Sequence, residues 1–141
     1  MAEEKTLRDH FEEWHASMYV YMDNLRAAVP DNIVLDYSLD SLLPLERWVL
    51  DRYPDVESAR AELGGLAGAA GAYLGETVRK AAGGKWRMDD NEKSVFHGFP
   101  VLVEIRGSKT ISPLTLITAS TDRRKGDYLH SVARYCIHGD G

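Results

Sequence analysis

The chain has 141 residues, 44% of them hydrophobic, one cysteine and a formal net charge of −5 at pH 7. That length suits one domain, residues 1–141, able to fold without disulfides or a structural metal. The lone Cys136 excludes an internal disulfide framework, and the longest low-charge run, Leu63 to Gly75, is far shorter than the ~20 apolar residues that span a bilayer.

In chain order, Thr6 to Asp9 read as a capping box, and Leu7, Phe11, Trp14, Met18, Met22 and Leu25 recur at intervals of three and four. This predicts one amphipathic helix ending near Val29-Pro30. Ile33 to Leu35 read as an extended link. A second helix starts with Asp40 or Ser41 as N-cap, tolerates Pro44 in its first turn, turns Leu45, Trp48, Val49 and Arg52 inward, and closes at Tyr53-Pro54. Asp55 then caps a third helix predicted to run unbroken to Ala82, about 40 Å at 1.5 Å per residue, before Gly83 takes a positive φ.

This central helix is the richest segment. Gly64, Gly68, Gly71 and Gly75 form one stripe, and Leu63, Leu66, Ala70, Tyr73, Leu74 and Thr77 a second, leaving a narrow polar arc at Glu62, Glu76 and Arg79. A helix apolar over most of its circumference is buried. Each interior glycine costs roughly 1 kcal/mol relative to alanine, so four of them predict neighbouring backbone pressed against the stripe.

Beyond Gly83-Gly84 the apolar period shortens to two. Lys85 to Met88 read as a strand, Asp89 to Glu92 as a turn, and Ser94 to His97 with Pro100 to Arg106 as strand interrupted at Gly98. Ser112 as N-cap, Pro113 at the first helical position and a staple between Ile111 and Leu116 start another helix, against the β-branched run Thr115 to Thr121. Asp127 caps a last helix with Leu129, Val132, Ala133 and Cys136 inward. The order is α+β: three N-terminal helices including a long buried Gly/Ala-rich one, a small antiparallel sheet, then one or two C-terminal helices.

No signature of a reaction stands out. His10 and His15 are five apart, where a zinc helix wants four, and His130 and His138, eight apart near Cys136, could meet a third ligand from elsewhere but read more simply as surface histidines near a helix end, so no metal site and no cofactor are expected. The chain has no G-x-S-x-G, P-loop or G-x-G-x-x-G pattern, and Cys136 falls on an inward stripe, where a thiol acts as a small hydrophobe. The residues singled out for binding are Glu76, Arg79, Lys85, Trp86, Arg87 and His97. Glu76 faces the polar arc beside Arg79 and Lys80, basic residues surround Trp86, and His97 sits at the strand interruption.

The segment Tyr73-Leu74-Gly75-Glu76, the pair Gly83-Gly84, Trp86 and the later Pro113 resemble a group of small bacterial domains with a tyrosine-leucine-glycine-glutamate helix leading into a strand. The resemblance runs from about Asp36 onward. It implies a cytosolic module without established activity and carries over no catalytic residue.

Charge is divided along the chain, −9 over residues 1–78 and +4 over residues 79–141. The plainer reading is mutual attraction within the fold, and a pI near 5.5 disfavours nucleic acid as partner. The charged start MAEEKTLRDHFEEW has no apolar leader core, so a cytosolic location is expected. The leading expectation is a non-enzymatic protein-binding module, immunity-like or regulatory. A small hydrolase using Glu76 and His97 is one alternative. Anion or nucleic-acid binding through Arg79, Lys85, Arg87 and the Arg123 loop is the other. Exposed tyrosines or the first helix supply an interface if the chain is a homodimer.

Overall fold

A computed structural model describes residues 6–139; the first five residues, part of the charged start, lie outside the described residues. The architecture is α+β. Helices α1 (Leu7–Ala16), α2 (Met18–Ala28), α3 (Leu42–Arg52), α4 (Val56–Ala61) and α5 (Leu66–Ala82) precede strands β1 (Lys85–Met88), β2 (Pro100–Ile105) and β3 (Lys109–Ile111). Helices α6 (Pro113–Arg123) and α7 (Tyr128–His138) follow. The sheet is antiparallel in the order β1-β2-β3, with Trp86 opposite Leu102 and Met88 opposite Pro100. Between Leu102 and Ile105 the β2–β3 register shifts by one residue, a bulge that holds Glu104 at φ 60.

Helix α5 occupies the centre and packs against α2, α6, α7 and β2. Every residue from Ala67 to Gly75 is buried, as the two stripes predict. The predicted rod is nevertheless broken: the chain leaves the helix after Ala61 and resumes at Leu66, through turns at residues 62–65. Gly64 and Gly65 favour the break, since two adjacent glycines lower the penalty for leaving the helix and Gly65 adopts φ −128, ψ −130. Glu62 adds a tertiary tie there by accepting from Tyr53 Oη at 3.0 Å.

The four glycines do four different things. A Cβ at Gly71 would stand 2.8 Å from Leu114 Cα, so here the backbone of α6 does approach as predicted. A Cβ at Gly75 would overlap the Trp86 ring, one at Gly68 would overlap the carbonyl of Leu63 in the preceding turn, and one at Gly64 would meet open space. One glycine in four therefore admits another element's backbone.

Other expectations are revised by tertiary contacts. The first helix is two, divided at Ser17 (φ −92, ψ 6), although the Thr6–Asp9 capping box forms. Ser94 to His97 form turns rather than strand. Arg52, read as inward, is exposed and lies over the Trp48 and Tyr53 rings. Ser41 stands at the N-cap of α3, but its hydroxyl donates to Ser38 O and gives that helix no cap bond. Asp127 occupies the N-cap of α7 without a side-chain cap bond. That role falls to Glu46 of α3, fully buried, whose carboxylate accepts the N–H groups of Leu129 (2.5 Å) and Tyr128 (3.2 Å).

Candidate functional site

Glu76 and Arg79 lie one turn apart on α5, and Gly83 (φ 80) and Gly84 (φ 116) turn the chain back so that β1 lays Trp86 over Gly75. Arg79 donates to Glu76 through Nε at 2.6 Å and Nη2 at 3.1 Å, and Trp86 Nε1 donates to Glu76 Oε2 at 2.9 Å. Burial by itself would raise the Glu76 carboxyl, but the bonds from Arg79 and then Trp86 hold it below its ordinary value. Arg79 is raised in turn by its bond to Glu76. Glu76 is thus a clamp that fixes the indole in one orientation, and Arg79 completes its ion pair.

The clamped Trp86 is almost buried, and Trp14 of α1 meets it edge-on, with ring centroids 5.0 Å apart at 69°. Beside this contact an open groove of about 480 Å³ runs between α1 and β1. Leu7, Arg8 and Phe11 form one wall, and all four residues of β1, with Asp90, form the other. Side chains alternate between the two faces of a strand, so a hollow touched by every residue of β1 follows the strand's edge and not one face of the sheet. That edge is open: β1 pairs with β2 alone, and among the described residues no backbone group of residues 85–88 bonds to any other element. Half of an edge strand's N–H and C=O groups point away from its partner.

Charge along the groove is mostly positive. Arg8, Lys85 and Arg87 line it against one acid, Asp90. Arg8 also reaches Glu12 (3.1 Å) and Lys85 reaches Glu104 (3.4 Å), both exposed pairs of the weak surface kind.

Of the six residues singled out by sequence, Lys85, Trp86 and Arg87 line the groove and Glu76 and Arg79 support it from behind. His97 is apart from them, exposed in the turns at residues 89–99, and no hydrogen bond joins it to Glu76. Its nearer company is Asp89, whose carboxyl is held low by Ser94 Oγ first and the Asn91 N–H next, with His97 as a further positive neighbour. Lys80, placed beside Glu76 and Arg79 from sequence, lies over the Tyr37 ring at 4.9 Å. Sequence reasoning missed the α1 wall. Leu7 and Phe11 belong to a correctly read apolar stripe, but nothing local marks that α1 buries none of its residues completely and leaves a gap before β1.

The other sites raised from sequence are resolved into ordinary contacts. Arg124, at φ 50 on the C-cap of α6, donates to the carbonyls of Leu50 (2.7 Å) and Tyr53 (2.9 Å), and Arg123 lies over the Tyr128 ring. His15 stacks on Phe11, and His130 stands 3.5 Å from Asp40. Cys136 is buried, and burial raises its thiol. Among the described residues no three of His, Cys, Asp and Glu converge as metal ligands, and no helix is long and apolar enough to cross a membrane. No protein-family model, curated protein or solved structure matches this chain.

Proposed function

We propose that the protein is a cytosolic, non-enzymatic binding module, immunity-like or regulatory in role, that receives an extended acidic segment of a partner protein along the free edge of β1. The observation that carries this reading is the groove that follows the unpaired edge, floored by an indole fixed in place by Glu76. An added strand would satisfy the outward backbone groups of β1, lay alternate apolar side chains against Leu7, Phe11 and Met88, and bring acidic residues to Lys85 and Arg87. A second copy of this chain fits the same edge poorly, because pairing β1 with β1 would set Lys85 and Arg87 against their own like charges.

The alternatives are less well supported. A hydrolase built on Glu76 and His97 needs both groups within hydrogen-bond reach of one substrate, and Glu76 is engaged by Arg79 and Trp86 instead. A polyanion site has fewer cations at hand than the sequence suggests, since Arg79 is paired with Glu76 and Arg124 donates to the carbonyls of Leu50 and Tyr53.

Selection of a displayed random peptide library on the intact protein tests the proposal. Peptides alternating acidic and apolar residues should be enriched, and Lys85→Glu with Arg87→Glu should weaken them by about tenfold or more, roughly 1.4 kcal/mol. Enrichment of basic or unpatterned peptides, or binding indifferent to the double substitution, would overturn it.

A further inference from the structure

The phase of the β1–β2 ladder fixes which atoms the free edge presents. Met88 stands opposite Pro100, which has no N–H, so these two cannot exchange the double bonds of a hydrogen-bonded pair. One step further on, the Asp89 N–H donates to Phe99 O at 3.0 Å. Alternation then gives the N–H and C=O groups of Lys85 and Arg87 to β2 and turns those of Trp86 and Met88 outward. Among the described residues no other element bonds these outward groups.

The side chains alternate in step. Trp86 and Met88 share the face that carries α1, where Trp86 is almost buried and meets Trp14, while Lys85 and Arg87 are exposed on the opposite face. An antiparallel strand satisfies every outward group through one residue opposite Trp86 and one opposite Met88, with bonds perpendicular to the strands. A parallel strand needs slanted bonds to residues spread over a longer stretch, which a strand of 4 residues supports less well.

In the antiparallel arrangement the partner residue between those two falls opposite Arg87, in a non-hydrogen-bonded pair whose side chains approach more closely than those of a bonded pair. An acid there is favoured and a base disfavoured. The selection comes from this cross-strand contact and not from net charge, since Asp89 and Asp90 stand at the same end of β1. Lys85 is the weaker reader because it is already drawn to Glu104 on β2.

Resting on the open-edge reading above, we propose that the partner segment binds antiparallel in the one phase that sets apolar residues opposite Trp86 and Met88 and an acid between them opposite Arg87. Arg87 is then the residue that selects the sequence. Read from its N-terminus, the bound segment runs apolar, acidic, apolar, and its two apolar side chains lie on the α1 face beside Leu7 and Phe11.

The probe is the capped peptide acetyl-Ser-Ile-Glu-Ile-Glu-Ser-amide, titrated into the full chain and followed by amide NMR. The Trp86 and Met88 N–H signals should move downfield and those of Lys85 and Arg87 should move far less. A nitroxide on the peptide's N-terminus should broaden Asp89 and Asp90 more than Gly84 and Lys85. N-methylation of both isoleucines should weaken binding by about tenfold, while N-methylation of the first glutamate, whose N–H faces away from β1, should change it little. Replacing that glutamate by lysine should weaken binding by about threefold or more, and Arg87→Glu, at an exposed position, should restore the lysine peptide where Lys85→Glu does not.

Binding at β1 with reversed broadening, with the shifts on Lys85 and Arg87, with the glutamate N-methyl as the costly one, or without rescue at Arg87 would overturn this phase and leave the open edge standing. A peptide that moves no β1 amide at millimolar concentration would overturn both.

Discussion

Glu46 shows how far a single residue's role can lie from its sequence context. Asp127 stands where an N-cap belongs, directly before α7, yet the bonds come from a carboxylate 82 residues away. The carboxylate sits at the positive end of the helix dipole and takes two N–H groups that would otherwise be buried without partners. Glu46→Ala should therefore cost about 3 kcal/mol in urea unfolding, whereas Asp127→Ala should change stability by less than about 0.5 kcal/mol. The reverse order would return the cap to Asp127. No local signal identifies Glu46, which reads as one more polar residue on an amphipathic helix. Glu76, by contrast, was legible, since its position in the polar arc one turn from Arg79 dictates the pair that forms.

The clamp at Glu76 also sets an acid dependence. The folded carboxyl titrates below its ordinary value of 4.5, so its contribution to stability is complete above that pH and is lost as pH falls through the folded value. Glu76→Gln lacks the contribution at every pH. The stability gap between wild type and Glu76→Gln, measured by thermal unfolding, should be constant near neutrality and shrink as pH drops below about 4.5. A gap that widens in acid would contradict the clamp.

At the scale of elements, helix existence was readable and helix continuity was not. Periodicity located α2, α3, α5 and α7, but it is blind to an interruption whose flanks keep the same apolar face, as at Ser17 and at residues 62–65. Helix α6 forms despite its β-branched run because Pro113 starts it, Leu114 and Ile117 anchor it in the core, and its threonines bond back to their own helix; Ser112, expected to cap it, makes no side-chain cap bond. Thr115, Thr118 and Thr121 each donate to the carbonyl three residues earlier. Residues 94–97 failed as strand for the opposite reason, since their alternation has no partner strand to pair with, and Val95 is exposed.

The glycines of α5 separate packing from flexibility. Gly71→Ala would force its Cβ against the backbone of Leu114 and should destabilise by about 1–3 kcal/mol. Gly64→Ala, in open space within the break, should be neutral or stabilise by up to about 1 kcal/mol. Equal losses at both positions in denaturant unfolding would mean that the close approach of α5 and α6 is not what Gly71 provides.

At the scale of the whole molecule, the groove does not join the acidic N-terminal stretch to the basic C-terminal one, since the N-terminal wall brings Arg8 and the one acid, Asp90, follows β1. Helix α1 leans on β1 through aromatic contacts and leaves the edge of the sheet open, with Lys85 and Arg87 at hand. An open edge strand is a liability that proteins ordinarily cover or shorten, and here it is flanked by an apolar wall and basic side chains suited to an acidic partner strand. Sequence alone could mark Trp86 and its basic neighbours. It could not reveal that they line an edge, because the pairing of β1 on one side only depends on where the chain goes after Met88.

Amide hydrogen exchange along Lys85 to Met88, in the free protein and with a selected acidic peptide bound, tests this most directly. Alternate amides of β1 should exchange fast in the free chain while their neighbours, bonded to β2, are protected, and the fast ones should slow by about tenfold or more in the complex. Uniform protection of β1 in the free protein, or fast amides unchanged by bound peptide, would contradict an open edge that receives a partner strand.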